Sequence, residues 1–172
     1  MRTSLFTIGG FIMLGACRSG QPCEISTDCH STEVCADAVC EYAFNRFYDV
    51  VIIEAVVPED NAESQSWDAD ANGPDVYAET GFSGESNGCF THVVFDTTTP
   101  FWEAVCPVWI PDYGTFLINL WDEDIGSDED DWIAGFYWEG AESFVEVLRS
   151  DGVAIETEDE YDSASIRFTV LP

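Results

Sequence analysis

Acidic side chains cluster in two short segments, and each segment lies next to an apolar run. The second segment is the denser one, with seven acids in ten residues. Crowded carboxylates repel one another and retain protons unless a cation lies between them. Calcium suits such a cluster, because it takes about six to eight oxygen ligands in flexible geometry. The first group is Asp68, Asp70 and Asp75; the second is Asp122, Glu123, Asp124, Asp128, Glu129, Asp130 and Asp131.

Two other interpretations of these segments stay open. Acidic residues make up one fifth of the chain, so both segments also fit solvated loops that hold no ion. The first segment begins like an EF-hand loop, and Glu79 stands at its last ligand position. No flanking helices are evident, however, and residues 76–78 are typical of a strand.

Four cysteines lie within eighteen residues, in a polar stretch too short to build a hydrophobic core. Disulfides are expected there, and three pairings are formally possible. We favour Cys23–Cys35 together with Cys29–Cys40. A zinc site that includes His30 is the alternative, but the segment contains no Cys-x2-Cys pair.

Two further cysteines, Cys89 and Cys106, lie on successive predicted strands. Paired strands bring facing residues within disulfide reach, so we expect a third bond between them. Two buried free thiols are the alternative.

The chain begins with a segment typical of an export signal. Arg2 precedes an apolar run from Leu5 to Leu14, about half as long as a membrane-spanning helix. The following Gly15-Ala16-Cys17 completes a resemblance to the bacterial lipobox, whose cysteine carries lipid. We therefore expect residues 1–16 to be a lipoprotein signal peptide and Cys17 to be the lipid anchor, which leaves an even number of cysteines. An ordinary signal peptide is the alternative.

The expected location is the bacterial cell envelope, with the protein anchored in a membrane through this lipid. Arg18 follows the anchoring cysteine. The absence of aspartate at this position favours the outer membrane where the cell has one.

The rest of the chain has the pattern of one all-β domain, residues 44–172, preceded by a cysteine-rich segment, residues 17–43. Short runs of β-branched and aromatic residues alternate with turns. Residues 141–148 fit either a strand or a helical turn. The predicted strands are Phe47–Val57, Thr91–Phe95, Phe101–Ile110, Thr115–Trp121, Trp132–Trp138 and a last strand with Ile166, Phe168 and Val170 on one face.

The net charge of −29, with five arginines and no lysine, argues against nucleic-acid binding. The hydrophobic fraction of 46% is too high for a disordered acidic tail. The chain has two histidines, His30 and His92, and no complete nucleophile elbow. We therefore expect a folded protein that is not an enzyme.

Three segments resemble C2 domains, the calcium-dependent modules of protein kinase C and the synaptotagmins, and they occur in the family's order. Asp75-Val-Tyr-Ala resembles the step that opens the second strand of those domains. Thr98-Thr-Pro-Phe-Trp-Glu resembles their Thr-x-x-Pro-x-Trp-x-Glu segment. Leu120-Trp-Asp-Glu-Asp with Asp131-Trp-Ile-Ala resembles their third calcium loop. The resemblance implies an eight-stranded antiparallel β-sandwich with both acidic loops at one end.

The resemblance also implies a set of calcium ligands. In the first loop, the family spacing falls between Asp68 and Asp70, so either one precedes Asp75. In the third loop, the last acid is Asp130 by spacing or Asp131 by its following residues. The full set is Asp68, Asp70, Asp75, Asp122, Asp124, Asp130 and Asp131.

The function implied is calcium-dependent binding of a phospholipid or a protein by a membrane-anchored lipoprotein. The missing lysines remove the basic groove with which the family binds phosphoinositides. The alternative is a structural or interaction domain that has kept the acidic loops without functional calcium binding.

Overall fold

The computed structural model describes residues 20–61, 63–67, 73–83, 88–124, 130–159 and 163–172. Cys17, the predicted signal peptide, Asp68 and Asp70 lie outside these residues. The elements are a 3-10 turn (Ser26–Asp28), β1 (Glu33–Ala36), β2 (Val39–Tyr42), β3 (Arg46–Val56), β4 (Val76–Phe82), β5 (Cys89–Phe90), β6 (Phe101–Ile110), β7 (Thr115–Asp122), β8 (Asp131–Glu139), α1 (Gly140–Leu148), β9 (Ile155–Glu158) and β10 (Ser165–Leu171).

Eight strands form a sandwich of two four-stranded antiparallel sheets. The strand orders are β6-β3-β10-β9 in one sheet and β5-β4-β7-β8 in the other. The remaining strands, β1 and β2, form a separate hairpin in the cysteine-rich segment. The predicted all-β sandwich, preceded by a small disulfide-stapled segment, is confirmed.

The core lies between the sheets and follows from the two-residue period of strand side chains. The last strand is the clearest case, because Ile166, Phe168 and Val170 are all buried as predicted. Helix α1 closes one end of the sandwich, where the Phe144 ring stacks on Phe116 at 4.2 Å between centroids. Fully burying one such side chain stabilises the fold by about 1.5–3 kcal/mol.

The prediction of a continuous strand Thr91–Phe95 is wrong, because strand β5 ends at Phe90. The Thr91 hydroxyl accepts the Ala78 backbone N–H at 2.9 Å, in the place of a backbone carbonyl. Pairing resumes three residues later as a single bridge between Val76 and Val94. Local side-chain acceptors of this kind compete with the sheet ladder.

The cysteine-rich segment contains the two disulfides that we favour, Cys23–Cys35 and Cys29–Cys40. Three of its sulfur atoms lie within 4.8 Å of one another. They belong to these bonds, so the zinc alternative does not apply. The third disulfide, Cys89–Cys106, is also present and joins β5 to β6 across the two sheets.

The cysteine-rich segment packs directly against the sandwich rather than standing apart from it. The buried Ser26 donates its backbone N–H and its hydroxyl to Asp151, in the connection between α1 and β9. Arg149 donates to the carbonyls of His30 and Glu33. These contacts fix the segment at the end of the sandwich closed by α1.

Candidate functional site

The opposite end of the sandwich brings acidic residues from three adjacent strands together. Asp122, the last residue of β7, pairs with Val76 on one side and with Asp131 on the other. Asp75 directly precedes β4, so it stands beside Asp122. Antiparallel pairing therefore places the two predicted calcium loops at one edge, as the resemblance implies.

Asp75 and Asp122 form the buried part of this edge. The Asp75 backbone N–H donates to Oδ1 of Asp122 at 2.6 Å, and the Glu123 N–H donates to the Asp75 carbonyl at 2.9 Å. Asp122 is 0% exposed and Asp75 is 8% exposed. Burial of a carboxylate is costly without compensating partners, so this pair needs hydrogen-bond donors or a cation.

A third loop, between β5 and β6, packs against the same edge. Oδ1 of Asp75 accepts the backbone N–H of Asp96 at 2.8 Å, and Thr97 N–H donates to the Pro74 carbonyl at 3.0 Å. A Cβ atom on Gly73 would lie 3.1 Å from the Asp96 carbonyl carbon. Such close approach requires a residue without a side chain at position 73. The sequence carries no signal for Asp96, because it takes part through its backbone.

Asp124 and Asp130 meet on the outer side of the edge. Asp130 accepts the Asp124 backbone N–H through Oδ1 at 3.3 Å and the Tyr77 hydroxyl through Oδ2 at 2.7 Å. Burial raises the pKa of the Tyr77 hydroxyl above its ordinary value, and the neighbouring Asp130 carboxylate raises it further. The sequence analysis assigns Tyr77 no role at the site, although it lies two residues after a predicted ligand.

The positive charges of the described chain are engaged elsewhere. Arg46 pairs with Glu41 at 2.6 Å and Arg167 pairs with Glu54 at 2.9 Å. Arg149 holds the cysteine-rich segment at the other end of the molecule. No described arginine therefore pairs with the carboxylates at the loop edge.

Five of the seven predicted ligands lie in the described residues, and the structure brings them to this edge without closing them around one point. Among the described residues, no three carboxylates have their oxygen atoms within 4.8 Å of one another. The EF-hand alternative does not fit, since Glu79 lies in the middle of strand β4 and accepts the Trp121 indole N–H at 3.1 Å.

A cleft of about 720 Å³ opens beside the site, between the loop after β3, the start of β8 and the turn from β9 to β10. Its lining combines two indole side chains with four carboxylates. Asp131 lines this cleft, whereas its neighbour Asp130 contacts Tyr77. The sequence analysis does not foresee the cleft, because its walls come from three separate parts of the chain.

Comparison with known proteins finds the same architecture in solved structures. Human GIVD cytosolic phospholipase A2, in complex with methyl gamma-linolenyl fluorophosphonate, aligns over 72% of this chain with 18% identity and a TM-score of 0.55. The two C2 domains of Extended-Synaptotagmin 2, with calcium bound, align over 74%, with 14% identity and a TM-score of 0.55. A single C2 domain of plant Extended Synaptotagmin 1 aligns over 74%, with 15% identity and a TM-score of 0.54.

The chain has a C2-like fold. The alignment covers 95% of the single plant domain, but only 16% of the phospholipase and 45% of the two-domain synaptotagmin. The C2-like sandwich is thus one module of those larger proteins. No protein-family model and no curated protein sequence matches the chain. Among the described residues, no helix is long and apolar enough to cross a bilayer.

Proposed function

We propose that the C2-like domain binds calcium at the loop edge and uses the bound ion to recruit a phospholipid or a protein partner. The observation that carries the proposal is the buried pair Asp75 and Asp122, linked at 2.6 Å with further carboxylates beside it. A buried carboxylate pair at a strand edge is a site where a cation relieves repulsion.

The donor chemistry fits calcium. All the acidic side chains at this edge offer hard oxygen ligands, which calcium prefers, and they come from connections on either side of strands. Asp75, Asp122, Asp124 and Asp130 would hold the ion, with Asp68 or Asp70 as a further ligand. Bound calcium would supply positive charge and open coordination positions for a phosphate or carboxylate group of the partner.

We also propose that the protein is a lipoprotein of the bacterial envelope, anchored through Cys17. The apolar run and Leu14-Gly15-Ala16-Cys17 support this proposal. So does the disulfide content, since disulfides persist in oxidising compartments. The domain acts as a binding module rather than as an enzyme in this proposal. Metabolic labelling with a fatty acid, lost on Cys17→Ser, tests the anchor.

A calcium titration by calorimetry tests the ion site. We expect saturable binding that the double change Asp122→Asn and Asp124→Asn abolishes. The matched control is Glu142→Gln with Glu146→Gln, which removes two charges from exposed positions on α1, at the other end of the sandwich. Asp124→Asn alone serves as a second variant that leaves the buried Asp122 intact. The absence of binding at millimolar calcium would contradict the proposal.

The alternative function is a structural interaction domain that does not use calcium. Thermal melting separates the two, because a ligand selective for the native state raises the melting temperature. Saturation at about a hundredfold excess over Kd adds about 2.7 kcal/mol to the unfolding free energy. Equal melting temperatures in calcium and in chelator would favour the alternative.

A further inference from the structure

The cleft beside the loop edge is a second candidate site, and its chemistry differs from that of the calcium ligands. One wall is the segment after β3, which folds back on itself. Oδ1 of Asn61 accepts the N–H groups of Glu63 at 3.0 Å and Gln65 at 3.1 Å, and Asn61 N–H donates to the Gln65 carbonyl at 2.8 Å. These bonds give the wall a defined shape without a ligand.

Indole rings supply the apolar surface of the cleft. The Trp67 indole N–H donates to the Pro58 carbonyl at 3.0 Å, which closes the folded-back segment at its base. Trp132, at the start of β8, is 45% exposed and lines the cleft beside the buried Ile133. A cleft of several hundred cubic ångströms with an apolar lining and a few polar groups is typical of a ligand site.

The charges in the cleft all have one sign. Asp60, Glu63 and Asp131 line it together with Asp159, and no basic side chain is among the described residues of its lining. Asp159 already accepts the N–H groups of Ser163 at 2.7 Å and Ala164 at 3.0 Å, so it holds the far wall in place. Ionised carboxylates are acceptors only, which means that the ligand must bring the hydrogen-bond donors.

We infer that this cleft binds an organic cation, namely an alkylammonium or guanidinium group on an apolar stem. Its N–H groups would bond to the Asp60, Glu63 and Asp131 carboxylates, and its stem would lie against the indoles. A cation over an indole face gains further electrostatic attraction. An aliphatic amine and a lysine side chain of a partner protein share this chemistry. The inference does not rest on calcium binding.

An NMR titration with 1,4-diaminobutane tests the inference, in chelator and at a physiological salt concentration. We expect saturable shifts of the Trp67 and Trp132 indole N–H signals. The probe's fully methylated bis-quaternary analogue carries the same charge without N–H donors, and we expect it to bind at least several-fold more weakly. An acetylated Lys-Ala-Lys amide provides the peptide arm, and tighter binding than the free diamine would assign the site to a protein partner.

Variants separate the cleft from general attraction to an acidic surface. The double change Asp60→Asn and Glu63→Gln is expected to weaken binding about tenfold, the effect of losing two part-exposed ion pairs. Trp132→Leu keeps an apolar strand residue and should weaken it about two- to fivefold. Glu142→Gln with Glu146→Gln changes the charge equally on α1 and should have no effect.

Three results would overturn the inference: no saturable indole shift, equal weakening by the α1 variant, or equal binding of the methylated analogue. The calcium-site variant Asp122→Asn with Asp124→Asn should retain diamine binding. Failure of the calcium proposal and failure of this one are therefore distinguishable. Amide spectra of each variant verify that it is folded.

Discussion

Tyr48 connects the cysteine-rich segment to the sandwich at the scale of one hydroxyl group. The side chain is 1% exposed, and its hydroxyl donates to the Ala43 carbonyl at 2.7 Å. The Arg46 guanidinium lies 5.5 Å from the ring centroid. Burial raises the pKa of Tyr48 to about 12, against a smaller lowering by Arg46.

We predict that Tyr48→Phe lowers the free energy of unfolding by about 1–2 kcal/mol, because the buried Ala43 carbonyl loses its donor. The folded pKa is raised above the unfolded value, so the contribution of Tyr48 is fully present below about pH 10 and is lost as the pH rises to about 12. Urea unfolding of both proteins at neutral and alkaline pH measures this. The variant should lose less stability across that range; an identical loss would contradict the assignment to Tyr48.

Asp122 has a structural role that is separable from calcium binding. In chelator, Asp122→Ala should destabilise the domain by about 1–3 kcal/mol, since the buried Asp75 N–H loses its acceptor. Asp122→Asn keeps an oxygen at Oδ1 and should cost less. Denaturant unfolding of both variants gives the comparison, and equal destabilisation would mean that this hydrogen bond contributes little.

At the scale of elements, strand positions follow closely from the sequence pattern. Phe101–Ile110 is predicted and observed with the same bounds, and β3 shifts by one residue at each end. Periodicity works there because each strand buries one face. Residues 141–148 stay ambiguous in sequence, and packing of Phe144 against Phe116 decides for a helix. Strand β9, with four residues, is too short for its pattern to stand out.

The site is predictable as a place but not as a set of contacts. Acids at strand ends reach one edge through antiparallel pairing, which sequence order alone implies. The directions of Asp130 and Asp131 depend on a register shift between Leu120 and Trp121 of β7 against β8. A one-residue bulge exchanges the faces on which following side chains lie, and nothing local in the sequence marks this one.

The disulfide between β5 and β6 joins the edges of the two sheets. Strand β5 has two residues and pairs only with β4 among the described strands, so the covalent bond is its main link to β6. We predict that Cys89→Ala with Cys106→Ala lowers the unfolding free energy by about 3 kcal/mol, the usual effect for a loop of this length.

Urea unfolding monitored by tryptophan fluorescence measures this change. The comparison variant is Cys23→Ala with Cys35→Ala, which removes a bond inside the cysteine-rich segment. That variant should loosen the segment and change the sandwich transition less. The reverse order of the two effects would contradict the proposed role of the inter-sheet bond.

At the scale of the whole molecule, the acidic loops and the cysteine-rich segment lie at opposite ends. Strand β3 begins beside the segment and ends at the loops, and its eleven residues span about 36 Å. Gly20 N–H donates to the Cys40 carbonyl at 2.9 Å, so the chain is already held by the segment three residues after Cys17. Three residues reach about 11 Å when extended.

This arrangement has a consequence for an anchored protein. A tether of about 11 Å at one end of a body about 36 Å long does not allow the loop tips at the other end to point into the anchoring membrane. The proposed calcium site would therefore bind a partner on an opposing surface. The net charge of −29 acts in the same direction, because it repels the domain from an anionic membrane until calcium neutralises the loops.

Vesicle clustering tests this orientation. Residues 17–172 are coupled through Cys17 to a maleimide lipid, the other six cysteines being in disulfides, and mixed with protein-free vesicles of anionic phospholipid. We predict that calcium causes clustering, measured by light scattering, that chelator reverses it, and that Asp122→Asn with Asp124→Asn prevents it. Calcium binding to the anchored protein without clustering, together with quenching of a loop fluorophore by its own bilayer, would mean that the loops reach the anchoring membrane. Since the tether and the length of β3 forbid that geometry for a folded domain, such a result would require the cysteine-rich segment to detach from Asp151 and Arg149.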